Sequence, residues 1–346
     1  MAMAGTPTDV DGLIEDLRTR AADAVRTRHP GAEVVSVQPL TGGASSLTFI
    51  AGLTGVPEDE ERVVLKVAPP GLAPVRNRDV LRQAALMRAL HGRAGVAVPP
   101  VYFEDAGDPP GVPPFVAMGF VPGECSEPVL EDSRDPADFT EIRSRALDAA
   151  AVLAALHRVD PAEAGLGDEP VVGLGDEIDR WTRAFTTVPA DLQGDYEACA
   201  VALHATMPAA LPPVVNHGDY RVGNTLCQDG RVTAVIDWEI WSVGDPRVDL
   251  TWLTFFTDEA RHPAAPTDAP SGMPTAHELL DAYVAAGGAA LPDMTWFEAL
   301  TRYKEAGATA LLIKRGRKQG ELSPQIRRMV PALPELLREA RDLVGG

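Results

Sequence analysis

The chain has 346 residues, with 50 Asp and Glu against 31 Lys and Arg and a formal net charge of −19. So acidic a chain is a poor partner for a nucleic-acid backbone. Apolar residues make up 45% of it, enough for a sizeable core, and the length fits two lobes better than one small core.

No run of about 18 apolar residues exists that could cross a membrane, so no membrane partner is expected. The N-terminus has no basic flank followed by an apolar stretch, so no secretory signal is expected either. Cys125, Cys199 and Cys227 lie far apart, are odd in number and form no metal pattern. They fit a reducing, cytoplasmic setting.

In chain order, the apolar spacing predicts a helix over 10–28, then β-prone runs at Val34–Leu40, Leu47–Leu53 and Arg62–Val67. The third run alternates: Val63, Leu65 and Val67 share one face, and Val64 and Lys66 the other. The turn-rich segment Gly52–Glu61 is expected to join two antiparallel strands. A helix follows at Val80–Leu90, then a strand pair at Val98–Glu104 and Pro114–Val121.

Past Pro122 and Gly123 the pattern becomes helical. Helices are predicted over 139–158, 176–186, 191–207, 247–256, 276–286, 295–316 and 325–343, with two short strands at Thr225–Gln228 and Val232–Ile236. A β-rich part followed by an α-rich part predicts an α+β fold in two lobes, 1–118 and 119–346, with the boundary near Met118–Gly123. The stretch 257–275, rich in Pro, Ala, Thr and Asp, reads as a mobile loop.

The chemistry concentrates in residues 214–250. Asp219 and Asn224 stand five apart in HGDYRVGN, and Asp237 ends the apolar run Val232–Ile236. A hairpin at Gln228–Arg231 is expected to bring the two clusters together. A carboxylate and an amide at strand ends offer hard oxygens suited to Mg²⁺. A second carboxylate beside them can orient a nucleophile and accept the proton of a hydroxyl, which completes a parts list for phosphoryl transfer. Turn chemistry alone explains either cluster; it explains both, in this order and spacing, poorly.

The motifs HGDYRVGN, IDWE and GDPRVDL resemble the aminoglycoside phosphotransferase and choline kinase superfamily, and most of all the kinase-like domains fused to some acyl-CoA dehydrogenases. The resemblance covers about residues 35–320. It implies a bilobal protein-kinase-like fold with a small antiparallel-sheet N-lobe, and ATP with Mg²⁺ as cofactors. It further implies Asp219 as the catalytic aspartate, Asn224 and Asp237 as metal ligands, and His217 as support for the catalytic loop.

The same resemblance assigns Gly42, Gly43 and Ser45 to a phosphate-covering turn and Lys66 to the α- and β-phosphates. Main-chain groups near Met118 and Phe120 would meet the adenine. The family glutamate that pairs with the lysine is replaced by Gln83, whose place on the inward stripe of its helix calls for a polar partner. Lys66 is the expected one, and Gln83→Glu is expected to leave activity equal or improved.

Asp245 and Pro246 read as a helix start, and Asp249 as a tie between that helix and the catalytic loop. Arg221 and Glu239 flank the site as candidate substrate or metal contacts, or as local salt-bridge residues. His157 reads as a packed residue. The implied acceptor is a hydroxyl of a small molecule: an aminoglycoside, a hydroxy-acid or hydroxyacyl metabolite, a macrolide or a choline-like alcohol. A nucleotide-binding pseudokinase is the reading from a different class.

Overall fold

A computed structural model describes residues 10–40 and 46–345. Their contacts group into two compact units. One comprises the described residues up to Arg93 with Ala97–Pro122 and Ala234–Ile240; the other holds Ala94–Val96, Gly123–Thr233 and the rest from Trp241.

The first unit carries helix α1 (Val10–Arg28), strands β1 (Glu33–Pro39), β2 (Leu47–Thr54) and β3 (Arg62–Val67), helix α2 (Val80–Leu90), and strands β4 (Val101–Asp105) and β5 (Phe115–Gly119). The strands form one antiparallel sheet in the order β1-β2-β3-β5-β4. Register follows the side-chain alternation of period two, because a slip of one residue would invert both faces. Leu65 lies opposite Phe49 and Ala117, and all three are buried in one core with Leu17, Ala21 and Val25 of α1. Lys66, opposite Thr48 and Val116, turns to the other face, where Val116 packs with Ala68 and with Val80 and Ala84 of α2. Helix α2 starts where the Asp79 carboxylate accepts from the Arg82 amide at 3.0 Å.

The second unit contains α3 (Phe139–His157), β6 (Val171–Val172), α4 (Leu174–Thr186), α5 (Tyr196–Ala205), β7 (Val214–Asn216), β8 (Thr225–Gln228), most of β9 (Arg231–Val235) and β10 (Ser242–Gly244). After them come α6 (Arg247–Phe255), α7 (Ala276–Ala285), α8 (Met294–Gln319), α9 (Pro324–Met329) and α10 (Leu333–Gly345). Helix α8 buries residues on nearly every side, as a central helix must. Its Phe297, Tyr303 and Ile313 meet Ile178 and Phe185 of α4, Leu203 of α5 and Leu337 of α10.

An antiparallel-sheet lobe followed by a mainly helical lobe is the bilobal kinase-like fold. The structure departs from the sequence reading in places with local causes. The helix expected over 325–343 is two helices, since Pro331 lies in the gap and has no N–H to continue the first. The helix expected from 191 begins at Tyr196, after Gly194 adopts φ +54°. Strands β6, β7 and β10 have two or three residues each, too short for periodicity to show. The stretch 257–275 forms no helix or strand, yet it is pinned. Thr257, His262, Ala264, Ser271 and Met273 are buried, and the Ser271 amide donates to Asp258 at 3.0 Å.

Candidate active site

Strand β7 delivers the chain into His217-Gly218-Asp219. Gly218 takes φ +86°, a conformation that favours glycine. The turn is held from α6: Asp249, fully buried, accepts from the His217 amide at 2.5 Å and the Gly218 amide at 2.8 Å. Burial opposes ionisation of Asp249. Bonding from His157 and the charges and amide around it outweigh burial and hold the carboxyl below the ordinary range. His157 is buried and bonded through Nδ1 to the Tyr283 hydroxyl at 2.9 Å, a packed position. The His217 ring lies inside the loop, where Nδ1 accepts from the Asp219 amide at 3.2 Å.

Asp219 is therefore placed by its backbone on both sides. Its side chain is also held: Oδ1 accepts from the Trp252 indole N–H at 2.6 Å, and Oδ2 accepts from Asn224 Nδ2 at 2.8 Å. Asn224 Nδ2 also donates to the Asp219 carbonyl at 2.8 Å, which leaves the amide oxygen as the group Asn224 can offer a cation.

Arg221 bridges Asp219 Oδ1 at 3.6 Å and Glu127 at 3.2 Å, with its guanidinium 5.4 Å above the Phe256 ring. Glu127, itself buried, accepts from the Gly223 amide at 2.8 Å. A Cβ on Gly223 would come within 2.9 Å of Glu127 Oε2, so only glycine leaves room for this clamp. Arg145 adds bonds to the Ser126 hydroxyl at 2.9 Å and the Ser126 carbonyl at 2.7 Å.

Two buried residues of α8 stand behind the loop. Lys304 donates to the Gly218 carbonyl, and its ammonium lies 3.7 Å from the Trp252 ring centroid. Burial pulls this ammonium below the usual lysine range, opposed by the carboxylates of Asp219, Glu177 and Asp249. Beside it, burial and then the Asp219 charge push Glu305 up to about 8. Glu305 Oε1 accepts from Thr309 at 3.4 Å and stands 3.8 Å from His262 Nε2. Burial and Arg221 push His262 down to about 3, so it is neutral. Its Nδ1 accepts from the Ala264 amide at 3.1 Å, which puts the ring proton on Nε2, facing Glu305.

His262 stacks on Phe256 at 4.5 Å between centroids and also lines a cavity of about 580 Å³ within the same unit. Arg134, Asp258, Arg261 and Thr267 are among its other walls.

In the first unit, Lys66 is buried, not solvated as strand lysines usually are, and bonds Asp237 Oδ1 at 2.8 Å. Asp237 holds φ +65°, left-handed and costly for a residue with a Cβ. Gln83 is buried too, but donates to the Asn77 carbonyl at 3.3 Å; the partner of Lys66 is Asp237. The Gly119 amide donates to Pro100 and the Phe120 amide to Arg62, while Met118 lies in β5 opposite Val64. Glu239 sits in the short turn Trp238–Ile240 that follows Asp237. Gly42, Gly43 and Ser45 lie outside the described residues.

Asp245 is scaffold. Its carboxylate accepts from the Arg247 amide at 3.0 Å and pairs with the Arg247 guanidinium at 2.7 Å, both side chains buried. Sequence reading did not find Trp252, Lys304, Glu305 or Glu127. Each carries its meaning only through a neighbour distant in the chain, and an inward tryptophan or lysine on a helix has no signature of its own.

Such a fold is that of the kinase-like phosphotransferases. The sequence profile of the phosphotransferase enzyme family matches residues 36–300, and the chain belongs to that family. Among curated proteins it is 26% identical over 288 residues to acyl-CoA dehydrogenase family member 11 of Rattus norvegicus, covering 79% of this chain and 36% of that protein. The chain spans well under half the length of the curated relatives it matches. Among solved structures it is similar to a candidate aminoglycoside phosphotransferase of Ralstonia eutropha (22% identity, TM-score 0.70, covering 97% of this chain and 98% of that one). It is also similar to ADP-bound aminoglycoside phosphotransferase APH(2'')-Ib (16% identity, TM-score 0.56, 96% and 98%).

Proposed function

We propose that the chain transfers the γ-phosphoryl group of ATP to a hydroxyl of a small molecule. The observation that carries this is the Asp219 carboxylate, fixed by one neutral donor on each oxygen in a loop clamped from α6. In the step, the acceptor oxygen bonds to the γ-phosphorus, the bond from that phosphorus to the β–γ bridging oxygen breaks, and ADP departs. The hydroxyl proton passes to Asp219. A loose transition state needs little early deprotonation, so orienting the hydroxyl is the larger contribution of Asp219.

Asn224 through its amide oxygen, and Asp237 through its carboxylate, are the proposed magnesium ligands; both are hard oxygen donors of the kind that ion takes. Magnesium, when bound, would neutralise phosphate charge. Lys66 is proposed to contact the nucleotide phosphates. The GDP and ADP complexes of similar folds support a purine nucleotide.

The acceptor is proposed to occupy the cavity lined by His262, whose ring stacks on Phe256, the ring that carries the Arg221 guanidinium. Its charged walls include Arg134 and Arg261 as well as Asp258 and Asp268, so it is not the purely acidic site a polycation would favour. With the dehydrogenase-family relatives, this favours a hydroxy-acid or hydroxyacyl metabolite over an aminoglycoside.

A panel of hydroxyl compounds with Mg·ATP, read as ADP release, tests the reading. Turnover is expected for at least one compound, falling by several orders of magnitude in Asp219→Ala with ATP affinity little changed. Gln83 in place of the family glutamate, bonded to Asn77 while Lys66 pairs with Asp237, favours the second reading, a nucleotide-binding module without transfer. Tight ATP binding with no turnover across the panel would establish that instead.

A further inference from the structure

We infer that Trp252 is a positioning residue for the proton acceptor, braced by Lys304, and that it selects the rotamer in which Asp219 can meet the acceptor hydroxyl. The inference rests on Asp219 having the role proposed above.

Asp219 Oδ1 has two donors within reach. The indole N–H of Trp252 is at 2.6 Å, and Arg221 Nε is at 3.6 Å. The two differ in kind. The indole is neutral and donates one bond, so it orients the carboxylate without cancelling its charge. The guanidinium is a planar fork that binds carboxylates in pairs of bonds and would neutralise the base it held. The observed arrangement gives the carboxylate to the indole and keeps Arg221 engaged by Glu127 and Phe256.

The indole is itself fixed. Its ring packs 5.8 Å from Phe256 and 6.2 Å from Phe255, and the buried Lys304 ammonium sits 3.7 Å from the ring centroid. Lys304 is anchored in turn on the Gly218 carbonyl, one residue before Asp219. Lysine, tryptophan and aspartate thus close a ring through the loop they hold. Burying a lysine is costly, and a surface-filling role alone would not ask for it. A cation held on the ring face also polarises the indole, making its N–H a stronger donor to Asp219.

Without the indole N–H, the Arg221 guanidinium stands 3.6 Å from Oδ1 as a charged donor. The carboxylate then turns toward the guanidinium and away from the hydroxyl. Misplacement of a reacting group on this scale costs about 10- to 100-fold in rate.

Two measurements test the inference. In the first, the Trp252 indole N–H resonance is identified in a proton–nitrogen correlation spectrum by its loss in Trp252→Phe. Asp219→Ala is expected to move it upfield and speed its exchange with water. An unmoved resonance overturns the inference, and this arm needs no turnover.

In the second, turnover is measured with Mg·ATP and the compound selected by the panel, or water as acceptor. Trp252→Phe keeps a ring beneath Lys304 and is expected to lower kcat about 10- to 100-fold, with KM for ATP within about twofold. It should cost nothing further in an Asp219→Ala background, because it acts through that carboxylate. An equal loss in both backgrounds marks Trp252 as merely structural and overturns the inference, whereas a normal rate in Asp219→Ala alone removes Asp219 as the proton acceptor, the reading on which the inference rests. If Trp252→Phe does not fold, Lys304→Met serves in the cycle. A smaller loss confined to kcat and absent without Asp219 is expected; an undiminished loss there overturns the inference.

Discussion

Replacing Glu305 by glutamine should stabilise the folded chain, and by more at about pH 8 than at about pH 5. The carboxyl is buried beside the Asp219 charge, with Lys304 and Arg221 as opposing cations and a neutral His262 facing it. Its proton affinity rises from the ordinary 4.5 to about 8 in the folded state. Between those values the folded state holds a proton that the unfolded state has released. Stability from this group is therefore full below the unfolded value and declines as pH climbs toward the folded one.

At about 1.36 kcal/mol per pH unit, the gap sets a ceiling of about 5 kcal/mol, and about 3.5 kcal/mol of it falls between pH 5 and pH 8. Glutamine mimics the protonated acid and has no such decline. Constant differences, such as the new amide hydrogens beside Thr309, cancel between the two pH values. Urea unfolding of both proteins at the two pH values reads the difference. If the advantage of Glu305→Gln is equal at both, or smaller at pH 8, Glu305 is ionised in the folded protein and the reasoning fails.

Gln83→Glu is expected to destabilise by about 1–3 kcal/mol, because the new carboxylate cannot donate to the Asn77 carbonyl and brings a charge into a buried position. Thermal unfolding measures it. The expectation from sequence made Lys66 the partner of Gln83; that lysine is bonded to Asp237 instead. Asp245→Ala is expected to cost about 3–5 kcal/mol by leaving the Arg247 guanidinium buried and unpaired, a loss seen in urea unfolding and not restored by Asp245→Asn.

Much of the fold is legible in the order of residues alone. The alternation in Arg62–Val67 and the long apolar stripe of Phe139–His157 are local signals, and each element forms where its signal lies. The loop His217–Asn224 is legible for the same reason: its polar residues are close in the chain and its turn demands glycine at 218.

What local signals do not carry is partnership across distance. Nothing near Trp252 marks it as the donor to Asp219, and nothing near Glu305 marks its proton as retained. The partner of Lys66 lies 171 residues away, so a neighbouring helix offered a more obvious and mistaken choice in Gln83. Sequence determined which segments become helix or strand and which loop presents the Asp219 carboxylate, since those depend on torsion and periodicity over a few residues. Tertiary structure alone decided which charges are buried, what faces them and whether each keeps its proton, because electrostatic energy depends on distance and solvent exclusion in space.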